Sequence, residues 1–392
     1  MVSSLVILGR QPALGLAELE SLYGKDSVQA LSTQAALIKD AHQVDFQRLG
    51  GALKLCRVLG ELGSTEWRGF ERELLKAVPE LLEAMPEGKV QLGISVYGLP
   101  IAATQILATG LTLKKAVRKQ GRSVRLVPNN EAALSTAQTL HNHLTGPTGC
   151  ELVVVHNEGK LVIAQVIAVQ DITSYTFRDR GRPKRDARVG MLPPKLAQII
   201  INLASGSTLP DGQMLLDPFC GTGVILQEAA LLGYKIYATD LEKRMVDYTQ
   251  QNLSWLEQHY NLESAECILE TADATSHTWQ QPIDLVASET YLGRPFTSTP
   301  GPEILAKTLA ECNLIIKKFL QNLHGQLQPG ARLCVAIPAW KKSEGFAHLS
   351  LLDSLDDLGY NRISFEHAGT EDLIYHRENQ IVGRELLVLI RK

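Results

Sequence analysis

The chain has 392 residues, of which 45% are hydrophobic and 21% are charged, and its formal net charge is −3. A chain of this length predicts two or three domains at about 150 residues each, and its longest apolar runs are far too short to cross a bilayer. We therefore expect a modular cytoplasmic protein with no membrane segment and no targeting peptide. Its six cysteines form no CxxC pair, which is typical of free thiols in a reducing compartment and indicates no metal site.

The first 172 residues mix strand and helix patterns. The opening SLVILGRQPALGLAELESLYG predicts a strand, a turn and an amphipathic helix, and we expect a first α+β domain over residues 1–67. The stretch 68–172 alternates predicted helices and strands, including a helix over NEAALSTAQTLHNHL, and ends in a predicted hairpin. Between residues 90 and 190, thirteen lysines and arginines outnumber six acidic residues. Such a local positive surplus is typical of a module that binds a polyanion.

A change of pattern marks the second half of the chain. Residues 173–190, TSYTFRDRGRPKRDARVG, lack periodicity and are rich in arginine and lysine, so we interpret them as a basic linker. Strand and helix patterns then alternate over residues 191–392. This alternation predicts a doubly wound α/β sheet of parallel strands with an antiparallel edge at the C-terminus.

The strongest chemical motif is LLDPFCGTGVILQEAALLGY, which begins at residue 215. A strand ends at Asp217, glycines at 221 and 223 let the backbone approach a ligand, and a helix follows at once. The dinucleotide fingerprint fails, because Leu226 stands at its third glycine and an acid precedes the loop, where it would repel a pyrophosphate. S-adenosylmethionine, which has a sulfonium and no phosphate, tolerates this acid.

Two further acids follow at the predicted ends of the next two strands. Asp240 ends KIYATD, where a carboxylate can accept both ribose hydroxyls, and Asp273 in ETADAT can accept from the adenine amino group. Any one of these aspartates alone is more often a cap or turn residue. The predicted cofactor-binding set is Asp217, Phe219, Cys220, Gly221, Gly223, Asp240, Leu241 and Asp273.

Four segments together resemble one family over nearly the whole chain. They are DPFCGTG with ATDLE, the opening GRQPALGLAELESLYG, the approach GRP…VGMLPPKLAQIIINLA and the closing YHRENQIVGRELLVL. The chain is similar to the tRNA guanine-N2 methyltransferases that carry a THUMP domain and act at guanosine-10. This resemblance implies an N-terminal ferredoxin-like domain, a THUMP RNA-binding domain over 68–172 and a C-terminal Rossmann-like class I methyltransferase. It also implies S-adenosylmethionine as cofactor, tRNA as partner and, as in some relatives, a small activating subunit; we expect a monomer.

Basic side chains in two segments are candidates for RNA contacts. Lys115, Arg118, Lys119 and Arg122 follow helical spacing and share one predicted helix face, which is a solvated charged face in most isolated helices. Four arginines of the basic linker add to this charge and favour phosphate contacts, which position RNA without reading its sequence. These four are Arg178, Arg180, Arg182 and Arg185.

The fourth predicted strand of the second half ends in an unusual motif. Relatives have Asp-Pro-Pro-Tyr or a close variant, whereas here Ser288, Glu289, Thr290 and Tyr291 follow IDLVA. An aromatic amine attacks a methyl sulfonium only when acceptors draw its N–H groups and aim its lone pair. A serine hydroxyl is a weaker acceptor than a carboxylate.

Glu289 can restore the missing charge at this position. Tyr291, with Phe296, can stack on an extruded base or pack under the loop. We predict Ser288, Glu289 and Tyr291 as catalytic residues. The alternative is a protein of altered specificity, or a non-catalytic one, that binds S-adenosylmethionine and RNA.

Overall fold

The computed structural model describes residues 3–39, 44–63, 65–83, 85–186, 192–262, 266–296, 298, 300–378 and 380–392. Contacts divide the chain into two compact units. Unit 1 comprises Met1–Pro12, Lys25–Gln47 and Gly51–Ile172. Unit 2 comprises Ala13–Gly24, Arg48–Gly50 and Thr173–Lys392.

The helices and strands are numbered here in chain order. The first part of the chain contains β1 (Ser4–Leu8), α1 (Pro12–Tyr23), β2 (Val28–Ser32), β3 (Ala35–Ile38), β4 (Ala52–Leu62), α2 (Trp67–Glu83), β5 (Val90–Tyr97), α3 (Ala103–Lys119), β6 (Val124–Leu126), α4 (Thr136–His141), β7 (Gly149–Asn157) and β8 (Lys160–Val169). The remainder contains α5 (Ile172–Gly181), α6 (Pro194–Ser205), β9 (Met214–Asp217), α7 (Val224–Leu232), β10 (Lys235–Asp240), α8 (Lys243–Tyr260), β11 (Cys267–Thr271), β12 (Leu285–Glu289), α9 (Pro302–His324), β13 (Arg332–Lys341), β14 (Phe346–Ala347), β15 (Tyr360–Arg362), β16 (Ile374–Tyr375) and β17 (Val382–Arg391).

Unit 1 is built on one eight-stranded sheet in the order β2-β3-β1-β4-β8-β7-β5-β6. β5 runs parallel to β6 and β7, and the other neighbouring strands are antiparallel. Strands from both sides of residue 67 share this sheet, because β4 pairs with β1 along one edge and with β8 along the other. The contacts therefore join the two predicted domains, 1–67 and 68–172, in one unit.

Two local predictions in this region need correction. The predicted linker begins with a helix, α5, because Tyr175 and Arg178 are buried on one side of it. Residues 187–190 of that linker lie outside the described residues. The helix predicted over NEAALSTAQTLHNHL is only the six residues of α4, which begins late because Ser135 caps it through a reciprocal pair of bonds with Gln138.

Unit 2 is built on a mixed sheet with the main order β11-β10-β9-β12-β13-β17-β15. β11, β10, β9, β12 and β13 are parallel, whereas β17 is antiparallel to β13 and to β15. The predicted antiparallel ending is present, although β17 lies inside the sheet and β15 forms the edge. Buried Leu216, Tyr237, Val286, Phe319 and Trp340 belong to the core of this unit.

The order of the strands places several loops at one edge of this sheet. Parallel strands share the edge at which they end, so the ends of β9, β10 and β12 lie together. β17 runs the other way, and its first half therefore lies beside the end of β13, with Arg384 opposite Pro338. The start of β17 consequently lies at the same edge as the motif loops.

Most of helix α1 belongs to unit 2, because its side chains form hydrogen bonds with residues of that unit. Asn202 of α6 donates from Nδ2 to Glu18 Oε1 at 2.7 Å and accepts at Oδ1 from Arg48 Nε at 2.9 Å. The carboxylate of Glu20 accepts from the backbone N–H of Glu366 at 2.8 Å. By these contacts most of α1 is part of unit 2, which the local sequence pattern does not indicate.

No helix in the described part of the chain is long and apolar enough to span a bilayer. Within the same residues, no group of three or more His, Cys, Asp or Glu side chains is placed to hold a metal ion.

Candidate active site

The glycine loop after β9 brings backbone and carboxylates together. Gly221 and Gly223 have φ values of 53° and 78°, in the left-handed region that suits glycine. A Cβ on Gly223 would lie 2.9 Å from the side chain of Thr249 on α8, so the loop packs closely there. Helix α7 begins directly after Gly223 without a side-chain cap. The loop therefore leaves its own backbone as the surface available to a ligand.

Asp217, the last residue of β9, is 2% exposed. Its Oδ1 accepts hydrogen bonds from Ser288 Oγ at 2.7 Å and from the backbone N–H of Phe219 at 3.3 Å. Burial raises the pKa of Asp217 to about 7, and the negative charges of Asp240 and Glu289 add to the effect, while the two hydrogen bonds oppose it. The charge of this carboxylate thus changes near neutral pH.

Asp240 ends β10 and contacts the glycine loop directly. Its Oδ2 accepts from the N–H of Gly221, and its Oδ1 accepts from the N–H of Glu242, both at 2.9 Å. Burial raises the pKa of Asp240, and these hydrogen bonds oppose that rise. The next residue, Leu241, is 71% exposed, so it offers an apolar surface beside the loop.

The other members of the predicted cofactor set differ in what they can offer. Asp273 is exposed, and its Oδ1 accepts from the backbone N–H and hydroxyl of Thr275 at 2.9 and 2.7 Å, as in an ordinary turn. The Cys220 side chain is buried next to Thr249. The ring of Phe219 packs edge-on against Phe319 at 5.1 Å. Because its side chain is buried, Cys220 can contact a ligand through its backbone only.

Ser288 does not have the role predicted for it. The residue is 0% exposed, and its hydroxyl donates to Asp217. Because the hydroxyl is enclosed in the sheet, it is not available to accept from a substrate amine. The prediction of Ser288 as an amine acceptor is corrected accordingly.

Glu289 supplies the carboxylate at the end of β12. Its side chain is 15% exposed, and its Oε1 accepts a hydrogen bond from Nε of Arg384, a residue that is itself 4% exposed. Burial raises the pKa of Glu289, while the guanidinium of Arg384 opposes the rise. Oε2 of Glu289 has no hydrogen-bond partner in the described part of the chain. One oxygen is thus held in place while the other can accept from a substrate.

Sequence interpretation missed Arg384 as a residue of the site. The residue lies in the closing segment YHRENQIVGRELLVL, which carried part of the family resemblance. The antiparallel ending was predicted, but the sequence does not show the register of β17 against β13, and this register brings Arg384 to the end of β12.

The residues after Glu289 fix the path of the loop. The backbone N–H and the hydroxyl of Thr290 both donate to the carbonyl of Ala336, each at 3.0 Å. Tyr291 is partly buried and packs against the core of unit 2. Gly293 has φ 84°, and a Cβ there would lie 2.9 Å from Thr308. In this structure Tyr291 is therefore mainly a packing residue. The guanidinium carbon of Arg294 lies 5.2 Å from the centroid of the Phe296 ring.

The predicted RNA-binding residues fall into two groups. Lys115, Arg118 and Lys119 are exposed on α3. Arg122 lies beyond the end of that helix, and its guanidinium donates to the carbonyls of Met85 and Pro86. The predicted helix face therefore loses its fourth member.

The four linker arginines also divide. Arg180 and Arg185 are exposed. Arg178 is 7% exposed and forms an ion pair with Glu228 at 2.6 Å, and Arg182 is 2% exposed. We correct the prediction for Arg178 and Arg182, because buried guanidinium groups cannot reach the phosphates of an RNA.

The segment of the chain that contains these site residues matches a known protein family. Residues 182–354 match the UPF0020 family, described as an RMKL-like methyltransferase domain. The chain contains a UPF0020 methyltransferase domain. This domain includes the glycine loop, Asp217, Asp240 and Glu289.

Curated relatives of this chain carry one recurring name. The tRNA (guanine(10)-N2)-dimethyltransferase of Methanothermobacter thermautotrophicus is 34% identical over 150 residues, which is 38% of this chain and 39% of that protein. The protein of the same name from Methanocaldococcus jannaschii is 37% identical over 109 residues, 28% of this chain and 29% of that protein. The matches thus span less than half the length of these two relatives. They confirm the resemblance to tRNA guanine-N2 methyltransferases, and the THUMP domain stays a prediction.

Solved structures extend the comparison to the fold. TrmN from Thermus thermophilus is 18% identical, with 100% of both chains covered and a TM-score of 0.54. A possible methylase from Clostridium difficile 630 is 12% identical, with 100% of this chain and 98% of that chain covered and a TM-score of 0.51. At these identities the similarity confirms the fold of a Rossmann-like methyltransferase and nothing finer.

Proposed function

We propose that this protein is an S-adenosylmethionine-dependent tRNA methyltransferase that methylates the exocyclic N2 of a guanosine. The observation that carries the proposal is the position of the Glu289 carboxylate. It lies at the end of β12, at the same sheet edge as the Asp217 and Asp240 carboxylates and the glycine loop. The names of the curated relatives support tRNA as the substrate.

The residues of the loop suit S-adenosylmethionine better than a nucleotide phosphate. Asp217 and Asp240 interact electrostatically, so this edge of the sheet is acidic and would repel a phosphate group. A sulfonium and an ammonium group carry positive charge and would be attracted to it. Gly221 and Gly223 allow close backbone contact, and the Asp240 carboxylate retains lone pairs for ribose hydroxyls. When bound, the cofactor supplies an electrophilic methyl group.

Glu289 carries the role that sequence interpretation divided between two residues. Its Oε2 can accept an N–H of the guanine amine, which weakens delocalisation of the nitrogen lone pair into the ring and aims that lone pair. The hydrogen bond from Arg384 holds the carboxylate in one orientation. A carboxylate whose pKa is raised by burial is also able to receive the proton that the amine loses.

The N-terminal half would position the RNA. We propose that residues 68–172 form a THUMP domain and that Lys115, Arg118 and Lys119 contact tRNA phosphates, as their exposure allows. An N-terminal ferredoxin-like domain, a small activating subunit, a monomeric state and a cytoplasmic location are further predictions from the resemblance and composition.

Methyl transfer from labelled S-adenosylmethionine to unmodified tRNA transcripts, followed by nucleoside analysis, tests the function. We expect labelled N2-methylguanosine from the wild-type chain. Glu289→Gln should slow the reaction by about a hundredfold or more, because an amide donates where a carboxylate accepts, yet it should still bind the cofactor. Asp240→Ala should lose cofactor binding and keep tRNA affinity.

Other outcomes would reject parts of this proposal. A different methylated nucleoside would reassign the target. Binding of cofactor and tRNA without any transfer, with and without a cell extract to supply a subunit, would favour the non-catalytic alternative. The intact Glu289 carboxylate argues against that alternative. Normal cofactor titration by the Asp240→Ala protein would overturn the assignment of the cofactor site.

A further inference from the structure

Arg384 has donors that no described side chain uses. The residue is 4% exposed, and its Nε–H donates to Glu289 Oε1. Nη1 and Nη2 make no hydrogen bond with any residue that the structure describes. These two nitrogens are not among the enclosed polar atoms that lack a partner in the described part of the chain, so they reach the surface, where a ligand can supply acceptors for them.

The place of these donors indicates the kind of acceptor. They lie next to the carboxylate of Glu289, whose own free oxygen is an acceptor. A phosphate at this point would meet the charges of Glu289 and Asp217, which already interact. A neutral group with adjacent donors and an acceptor fits the pair better. Guanine has this pattern on its Watson–Crick edge, where the N2 amine and N1–H donate and O6 accepts.

We propose that Arg384 reads O6 of the target guanine while Glu289 accepts from its N2 amine, so that the pair selects guanine over other purines. This inference rests on the proposed function and adds the residue that determines base specificity. Adenine has an amino group where guanine has O6, so the Arg384 donors would meet another donor. Adenine also has no 2-amino group for Glu289 to accept from. Arg384 is thus a binding residue as well as the group that holds Glu289.

A matched pair on the same strand serves as a control. Glu385, the next residue along β17, accepts from Arg362 of β15 at 3.0 Å. Alternate side chains of a strand point to opposite faces, so this second arginine–glutamate pair faces away from the Glu289 side. Arg362→Met removes an arginine–glutamate ion pair from β17, leaves Glu385 its contact with His348, and does not touch the proposed base contact.

The test compares two bases at the position that the enzyme methylates. Full-length tRNA with guanine there is compared with tRNA carrying 2-aminopurine, which keeps the 2-amino group and lacks O6. Single-turnover rates are measured with wild type, Arg384→Met, Arg384→Lys and Arg362→Met. Wild type should prefer guanine by about 10- to 100-fold, since the analogue lacks the oxygen that accepts a hydrogen bond from the charged guanidinium.

The expected result is a lower preference for guanine in the two Arg384 variants and an unchanged preference in Arg362→Met. Arg384→Met should lower the preference at least about tenfold, mostly by slowing the reaction with guanine, while Arg362→Met should keep it. The analogue also lacks the N1 proton, but every enzyme tested retains Glu289, so this effect cancels in the ratio between wild type and variant. Arg384→Lys, which keeps one charged donor, should fall between the two.

Equal slowing of both substrates by Arg384→Met would overturn the proposal, because it would mean that Arg384 only positions Glu289. Loss of cofactor binding in that variant would overturn it as well, since Arg384 would then serve the cofactor. If Arg384→Met fails to fold, the same selectivity ratio is taken from Arg384→Lys, and an unchanged ratio rejects the inference. Failure of the function proposal is distinct, because wild type would then form no N2-methylated product with either base.

Discussion

The ionisation of Asp217 links the cofactor site to the stability of the fold. The side chain is 2% exposed, and burial raises its pKa from 3.8 to about 7. The folded protein therefore binds this proton more tightly than the unfolded chain does. The stabilisation that results is complete below the unfolded pKa and is lost as pH rises through about 7.

Asp217→Asn removes this titration and keeps an acceptor for Ser288. Relative to wild type, we expect the variant to gain about 2 kcal/mol in free energy of unfolding between about pH 5 and pH 8, because only wild type must bury a charge at the higher pH. Urea unfolding at both pH values measures the difference. Asp273→Asn is the control, since the pKa of that exposed carboxyl is lowered by Thr275 and its titration lies below this range. Parallel curves for wild type and Asp217→Asn would contradict the expectation.

Single residues were predictable where chemistry and strand ends coincide. Asp217, Asp240 and the two glycines follow from a strand, a turn and a helix that are each visible in the sequence. The burial of Ser288 and the partial exposure of Glu289 were not predictable, because they depend on which residue of β12 lies inside the sheet. The partner of Glu289 comes from a strand 95 residues away, and sequence spacing carries no information about that pairing.

At the scale of elements, helical spacing correctly predicted which side chains share a face, but only for residues that lie within the helix. Lys115, Arg118 and Lys119 share the exposed side of α3, as the spacing predicts. The helix ends at Lys119, and Gly121 with φ 88° turns the chain, so Arg122 leaves the row. In α5 the sequence pattern failed to show a helix where one exists. Arg178 was therefore predicted as an exposed arginine of a linker, whereas it is buried and forms an ion pair with Glu228.

Replacing Lys115, Arg118 and Lys119 together by glutamine should weaken tRNA binding without altering its sequence preference. If all three contact phosphates, the slope of log affinity against log salt should fall by about 2 to 3, because fewer counterions are released. Fluorescence anisotropy over a salt series gives this slope. The control replaces three other exposed lysines of unit 1, Lys39, Lys89 and Lys160. An equal loss in the control would mean that only overall charge matters.

At the scale of the molecule, the sheet of unit 2 was predictable and the grouping of segments was not. Alternating strands and helices are local patterns that imply parallel pairing. An amphipathic helix shows which of its faces is buried but not which surface it packs against. α1 was therefore assigned to the N-terminal domain, whereas most of it and residues Arg48–Gly50 belong to unit 2.

This grouping predicts that unit 2 depends on a residue far from most of it in sequence. Arg48 is 8% exposed and donates to Asn202 Oδ1 at 2.9 Å and to Ser205 Oγ at 2.8 Å on α6. Arg48→Met should lower the free energy of unfolding of unit 2 by about 2 to 3 kcal/mol, because it leaves buried acceptors without a donor.

The effect of Arg48→Met should appear in the transition that cofactor binding shifts, since a ligand stabilises only the unit that holds its site. Thermal unfolding with and without S-adenosylmethionine identifies that transition. Arg57→Met is the matched control: Arg57 donates to Gln165 at 2.8 Å on the exposed surface of unit 1, so its loss should cost no more than about 0.5 kcal/mol. A lower midpoint for Arg48→Met in the other transition alone would show that residue 48 supports unit 1, and the grouping of Arg48–Gly50 with unit 2 would be wrong.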